Sequence, residues 1–385
     1  MNPVFDHILA MVVVSVMFIS AVVILPQMNA GNFKAVEQQQ LRNIALNLFN
    51  AMLLDTGYPV DWGSRVNRTF YFYPSVVERF GLASYMDPTL YVLDPDKVQR
   101  LNIYNPLGYL PYEYLKSILN LQGYGFSFRL VPPFNVTNVD GTKIDEKHTP
   151  LSYVDSTTLK YALKVVHLDG RPIPNAKVEG FIFYSKGKDF SLGPLSPTVT
   201  NASGICSQII RLNLSSPDYV MVILRISVAD VAAILVTMGR DASVYVADIN
   251  VVGDTVVLTK AKNPSNEDVK IVSIYVYTTD GETVSLYNGT KDDHFNTGKS
   301  PRFALWNKTF DGLRDLNPAI LIFDFSAVEG GRREIVVAGP YKNLLSYNVF
   351  EYGGKVPVGS GAVKLQRNVL IENMIYTAEL WVWKE

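Results

Sequence analysis

Thr297-Gly298-Lys299-Ser300 ends as a phosphate loop ends, with a lysine and a hydroxyl after a glycine. Asp293 stands where the first glycine of such a loop belongs, and no clear strand precedes it, so no phosphate cradle is expected. Ser185 and Lys188 have the spacing of one Ser–Lys nucleophile pair, but they lie in a polar, Gly-containing stretch that reads as a loop. "VGSGA" (358–362) lacks the spacing of a nucleophile elbow. Asp292, Asp293 and His294 could contact a metal, and so could Asp140, Asp145 and Glu146; neither group has the order of a calcium loop, and both read as solvated turns. Cys206 is the only cysteine, which leaves no internal disulfide and no Cys-based zinc site. Tyr104, Tyr109, Tyr112 and Tyr114 form either an exposed patch for glycans or a partner, or a cover over a core. The expectation is a protein without catalytic, cofactor or metal residues. The net charge of −1 and the absence of a Lys/Arg run argue against nucleic acid.

More is legible in the elements. From Ile8 to Leu25 eighteen residues pass without a charge, and Ser15 and Ser20 are their only polar members. As a helix this run is about 27 Å long, close to a bilayer core. Ile8, Val14, Phe18, Val23 and Leu25 mark it as a membrane anchor. A cleaved signal needs a basic start, whereas Asp6 and His7 precede the run and the next basic residue is Lys34. Lys34 and Arg42 on the C-terminal side weakly favour a cytoplasmic body. Sequons at Asn67, Asn135, Asn201, Asn213, Asn288 and Asn307 favour the outside as possible glycosylation sites. The expected placement is a single-pass protein of the cell membrane with its body extracytoplasmic.

Leu41, Ile44, Ala45, Leu48, Phe49 and Met52 recur at three- and four-residue spacing, so the anchor is expected to bend at Pro26 and continue as an amphipathic stalk helix. "LDPDKVQRLN" has Asp94 as N-cap and Pro95 at the first helical position. "YEYLKSILNLQGYG" reads as a helix closed by Gly123, "FSFRLV" (126–131) as a strand, and the polar stretch after Pro132-Pro133 as a linker. From Thr158 to about Gly239 strand runs alternate with short turns, the pattern of a sandwich. Further strands follow, ending in "GAVKLQRNVLIENMIYTAELWVWKE", where Glu372-Asn373 divides two alternating runs into a hairpin. Tyr376, Ala378, Leu380 and Val382 share one face of its last strand, and Thr377, Glu379, Trp381 and Trp383 the other.

Asp169, Gly170, Pro172, Ile173, Ala176 and Val178, followed by Thr200, Asn201 and Gly204, match a D-G-x-P-[IL]-x-x-A-x-V turn and strand and then a T-[ND]-x-x-G turn. In this the chain resembles the carboxypeptidase-regulatory-like or CnaB-like Ig-like modules of bacteria and archaea. The resemblance implies a seven-stranded spacer or adhesive module rather than an activity. Some relatives carry a Lys–Asn isopeptide bond, but the closing strand from Val220 to Met238 has no Asn. The N-terminal region, through Asp6, Pro26, "GYPVDWGS", "FGLAS" and "YVLDPDKVQRL", resembles archaeal type IV pilin-like surface proteins, although no basic-Gly processing site precedes the apolar run.

The expected fold class is mainly β, α+β overall. It comprises an anchor and stalk helix (1–57), a mixed segment and linker (58–157), an Ig-like β-sandwich (158–241) and a C-terminal β-rich domain (242–385) that can pack with 58–133. The expected role is structural or adhesive, as a pilin-like or pilus-associated subunit. A surface enzyme acting on glycans or peptides and an extracellular ligand-binding sensor are the alternatives. Expected partners are the lipid bilayer, other pilus or cell-surface proteins, or copies of this chain.

Overall fold

A computed structural model describes residues 3–87, 89–144, 148–229, 231–238, 247–260, 268–289, 293–296, 304–327, 333–339, 349–359 and 361–385; in the first helix, side chains are described at 11–19 and from Val36 onward. The chain is mainly β, built from several antiparallel sheets. Helix α1 runs from Pro3 to Leu54, continuous through Pro26. Its C-terminal turns bury Leu41, Ala45, Leu48, Phe49, Met52 and Leu53, the face set by the three- and four-residue spacing.

Two short helices follow, α2 (Pro95–Gln99) and α3 (Tyr112–Ile118), then strand β1 (Tyr124–Val131). The side chain of Asp94 caps α2 by accepting from the Asp96 N–H, and Pro95 opens the helix. Leu115 points α3 into the core, and Gly123, with φ of 78°, turns the chain into β1.

The next module contains β2 (Asn135–Asn138), β3 (Leu151–Tyr153), β4 (Thr158–Val166), β5 (Lys177–Lys186), β6 (Asp189–Val199), β7 (Ile205–Arg211), β8 (Tyr219–Val228) and β9 (Val231–Met238). β2 and β3 lie end to end along one edge of β4 with β7 on the other, and a second sheet has the order β6-β5-β8-β9. The stretch expected as a linker (135–150) therefore supplies the edge strand β2, and its Val136 and Ile144 enter the core. Its inward apolar residues are too few and too widely spaced to stand out as strand alternation.

A second module contains β10 (Ala247–Val252), β11 (Thr255–Lys260), β12 (Asp268–Thr278), β13 (Thr283–Asn288), β14 (His294–Asn296), β15 (Ala304–Thr309), β16 (Pro318–Ala327) and β17 (Arg333–Ala338). Its sheets are β10-β11-β15 and β13-β12-β16-β17, with β14 also on β12.

Strands β18 (Phe350–Gly353), β19 (Val363–Ile371) and β20 (Met374–Lys384) then return to β1, in the order β18-β1-β20-β19. Residues 124–131 and 374–384 thus share a sheet, and both sandwich modules lie between them in sequence. Glu372 and Asn373, with φ of 46° and 60°, form the two-residue turn of the final hairpin. Tyr376, Ala378, Leu380 and Val382 are buried in the core that α1 covers. We call this sheet, with α1's buried half, α2 and α3, the base.

The two modules also pack on each other. Val220, Val222, Leu224 and Ile226 of β8 enter the first module's own core, whereas Tyr219, Met221 and Ile223 join a cluster that includes Ile320, Ile322 and Ile335 of the second. Phe181 meets Tyr277 with ring centroids 5.9 Å apart, and the Tyr219 hydroxyl donates to the Ile335 carbonyl at 2.5 Å. A strand buried on both faces reads as an unbroken apolar run, which explains "YVMVILRISV".

Candidate functional site

Two features bear on function: the uncovered length of α1 and the junction that fixes the second module to the base. Met11–Ile19 contains only apolar residues and Ser15, and its large side chains are solvent-exposed, including Val14 at 64% and Phe18 at 71%. The side chains of Ile8, Val23 and Leu25 lie outside the described residues. Among the described residues, no helix is long and apolar enough to cross a membrane. Leu41 is the first buried residue among the described side chains of α1, and the exposed run ends at Ile19, about 33 Å before it at the helical rise. Lys384, at the end of β20, pairs with Glu37 of α1 at 3.0 Å.

The junction is organised by α2. Asp96 and Gln99 are three residues apart and face the second module. Asp96 accepts from the Gly253 N–H (2.8 Å) and pairs with Arg314 (2.6 Å), and the Gln99 amide donates to the Val251 carbonyl (2.7 Å). Lys97 and Arg100, also three apart, face the base. Lys97 Nζ donates to the carbonyls of Thr56 (2.9 Å) and Ala83 (2.8 Å). Arg100 donates to the carbonyls of Gly63 (2.9 Å) and Gly108 (3.2 Å) while its guanidinium lies 4.9 Å from the Phe72 ring centroid. Gly63 can sit here because it has no side chain: a Cβ would fall 2.4 Å from the backbone nitrogen of Lys97.

Arg314, in the 3-10 turn Arg314–Leu316 of the second module, also pairs with Glu372 of the β19–β20 turn at 2.8 Å. The side chains of Arg314, Asp96 and Glu372 are 14%, 8% and 7% exposed. One arginine thus joins three chain segments in a water-poor contact. Burial, reinforced by Asp96 and offset by Lys97 and Arg314, raises the Asp94 carboxyl to about 6. Burial, partly offset by Arg314 and then reinforced by Asp96, raises Glu372 to about 7. Burial pulls Arg100 down to about 10 and also lowers Lys97.

The residues singled out for chemistry are scattered. Ser185 is buried in β5, and Lys188 is exposed in the turn that follows. Thr297 to Ser300, Asp292, Asp145 and Glu146 lie outside the described residues. Asp140 accepts from the N–H and hydroxyl of Thr142 in an ordinary turn. Among the described residues, no group of three or more His, Cys, Asp and Glu side chains is placed to hold a metal. Cys206 is buried near the Tyr161 hydroxyl, and burial raises its thiol. Tyr112 accepts from the Phe126 N–H (2.9 Å) at the edge of the core, whereas Tyr104 and Tyr109 are exposed. Asn67, Asn201, Asn213, Asn288 and Asn307 are exposed, and Asn135 is half-buried in β2. Sequence reasoning read "LDPDKVQR" as a helix start and missed it as a junction. The signal it held was four charges within one helical turn and its flanks in an otherwise apolar neighbourhood.

No protein-family model matches this chain, and no curated protein matches it in sequence. Among solved structures it is similar to a trypsin-activated alpha-2-macroglobulin from Escherichia coli, at 9% identity and a TM-score of 0.20, over 59% of this chain and 19% of that one. It is also similar to invasin, a bacterial integrin-binding protein, at 12% identity and a TM-score of 0.15, over 60% and 52% of the two chains. A Salmonella alpha-2-macroglobulin reacted with methylamine matches at 8% identity and a TM-score of 0.16, over 68% and 25%. The chain spans about half or less of each of these proteins, and nothing of their activities is carried over to it.

Proposed function

We propose that this chain is a membrane-anchored, extracytoplasmic surface protein with a structural or adhesive role and no catalytic one. The observation that carries the reading is the division of α1: an exposed apolar run at Met11–Ile19 and a face buried in the base from Leu41 to Leu53. Exposed side chains of this kind are costly in water and stable in lipid. In this reading Ile8 to Leu25 sit in the bilayer, the next turns cross the headgroup layer, and the base holds two packed β modules beyond it. The finer form is a pilin-like or pilus-associated subunit whose first module is a CnaB-like spacer, with N-glycans on the exposed sequons. Its partners are other surface proteins or copies of the chain.

Fractionation of cells producing the full chain and a variant lacking residues 1–33 tests the anchor. The full chain is expected in the membrane fraction, resistant to alkaline wash and cleaved by protease added to intact cells, and the truncated chain is expected to be soluble. A truncated body that stays with the membrane, or a full chain shielded from protease, overturns the reading. Negative-stain microscopy of the cell surface separates a filament subunit from a solitary anchored protein.

A further inference from the structure

Direct ion pairing at the junction does not balance. Three carboxylates, Asp94, Asp96 and Glu372, meet there with two cations, Lys97 and Arg314. The surrounding charges are directed elsewhere. Arg100 is close enough to Asp96 for the two charges to act on each other, but its hydrogen bonds go to backbone carbonyls. Asp61 pairs with Arg65, and Asp55 pairs with Arg79. Asp254 is half-buried at the rim and accepts from the Arg314 N–H at 3.0 Å. Asp315 is exposed. Tyr85 lies beyond Lys97, its ring 5.6 Å from Nζ. In direct ion pairs the contact is therefore one cation short, because Arg314 is shared by Asp96 and Glu372, in a place where an uncompensated charge is costly.

We propose that docking of the second module on the base takes up a proton, held among Glu372 and Asp94, so that the junction tightens as the medium becomes more acidic. The base supplies all three carboxylates, and the module supplies Arg314 together with the Gly253 N–H. When the two separate, water reaches the carboxylates, their ordinary acidity returns and the proton leaves. The raised acidities of Glu372 and Asp94 have the direction this requires. Linkage then fixes the slope: each proton taken up on closing shifts the closed–open ratio by up to tenfold per pH unit. For an extracytoplasmic body this makes its attachment respond to the pH of the surroundings. That consequence rests on the proposed location, whereas the proton uptake does not.

Hydrogen exchange of the Gly253 amide reads the junction directly, because its N–H is bonded to Asp96 across the contact. The full chain in detergent is followed between pH 8 and 5.5, with rates corrected for intrinsic base catalysis and the amides of β12 and β16 as an internal control. Protection of Gly253 is expected to change little between pH 8 and about 7.5 and then to rise as the pH falls through 7, approaching tenfold per pH unit by about 6 to 5.5, while the control amides stay constant. E372Q, which keeps the shape without the charge, is expected to remove most of that slope, and D94N part of it. A corrected Gly253 protection that is independent of pH, or that falls on acidification, overturns the proposal. So does an E372Q chain with the wild-type slope. If E372Q does not fold, the wild-type slope alone decides. The fractionation test of membrane placement is independent of every one of these outcomes.

Discussion

Thr200 shows how a single side chain holds a turn. Its hydroxyl accepts from the Ala176 N–H at 2.9 Å and donates to the Ile173 carbonyl at 2.7 Å, both buried. Gly204 completes the same corner: it has φ of 73°, and a Cβ there would fall 2.4 Å from the Val165 carbonyl. The T-[ND]-x-x-G pattern is therefore legible as physics, one residue type for two bonds and another for a close approach. Thr200→Val is expected to lower stability by about 1–3 kcal/mol in urea denaturation, and Thr200→Ser to retain most of it. At the junction, Arg314→Met leaves Asp96 and Glu372 buried without their cation, for an expected loss of about 3–5 kcal/mol. The sign with pH follows from the raised acidities. Glu372 and Asp94 stabilise the folded chain most below their ordinary carboxylate range, and that contribution is lost as pH rises through about 6 to 7. The penalty of Arg314→Met is therefore expected to be larger at pH 8 than at pH 5.5, measured by parallel denaturation curves.

Two parts of one helix have different surroundings. Leu48 is 4% exposed in the base core, and Val14 stands 64% exposed in the N-terminal half of the helix. Leu48→Ala is expected to lower the stability of the body by about 2–5 kcal/mol. Val14→Asp is expected to leave that stability unchanged and to shift the protein from the membrane to the soluble fraction; retention of the variant in the membrane would contradict the anchor. The helix spacing was readable because each heptad carries its own apolar stripe. The strand partners were not: "FSFRLV" alternates clearly, but nothing in those six residues points to a partner some 250 residues later. Pairing at that distance is decided by complementary faces in the folded chain. α2 is a third case. Its start signal is local and was legible, whereas its charges find their partners only when three distant segments meet.

At the level of the molecule, the modules form a packed stack rather than beads on a string. Met221, Ile223, Ile234 and Val236 of the first module are buried only because the second module and the base lie against them. Expressed alone, residues 134–238 are expected to expose this face and self-associate, as read by light scattering after gel filtration. Met221→Lys with Ile223→Lys in that fragment is expected to restore a monomer. A wild-type fragment that stays monomeric at high concentration would show that the face does not depend on its neighbour.

What the sequence determined by itself is whatever a few consecutive residues can encode. That includes the strand-rich character, the apolar run near the N-terminus and the stripe from Leu41 to Met52. It includes the capped start at Asp94, the Asp169–Val178 turn and strand, and the hairpin at Glu372-Asn373. Each follows from a side-chain period or from a backbone angle that few residue types tolerate. Tertiary structure decided which strands share a sheet, which apolar faces meet, and that the last strand returns to β1. It also turned "LDPDKVQR" from a helix start into the polar joint between base and module. Those outcomes depend on surfaces far apart in sequence, and no local pattern carries the free energy that chooses among them.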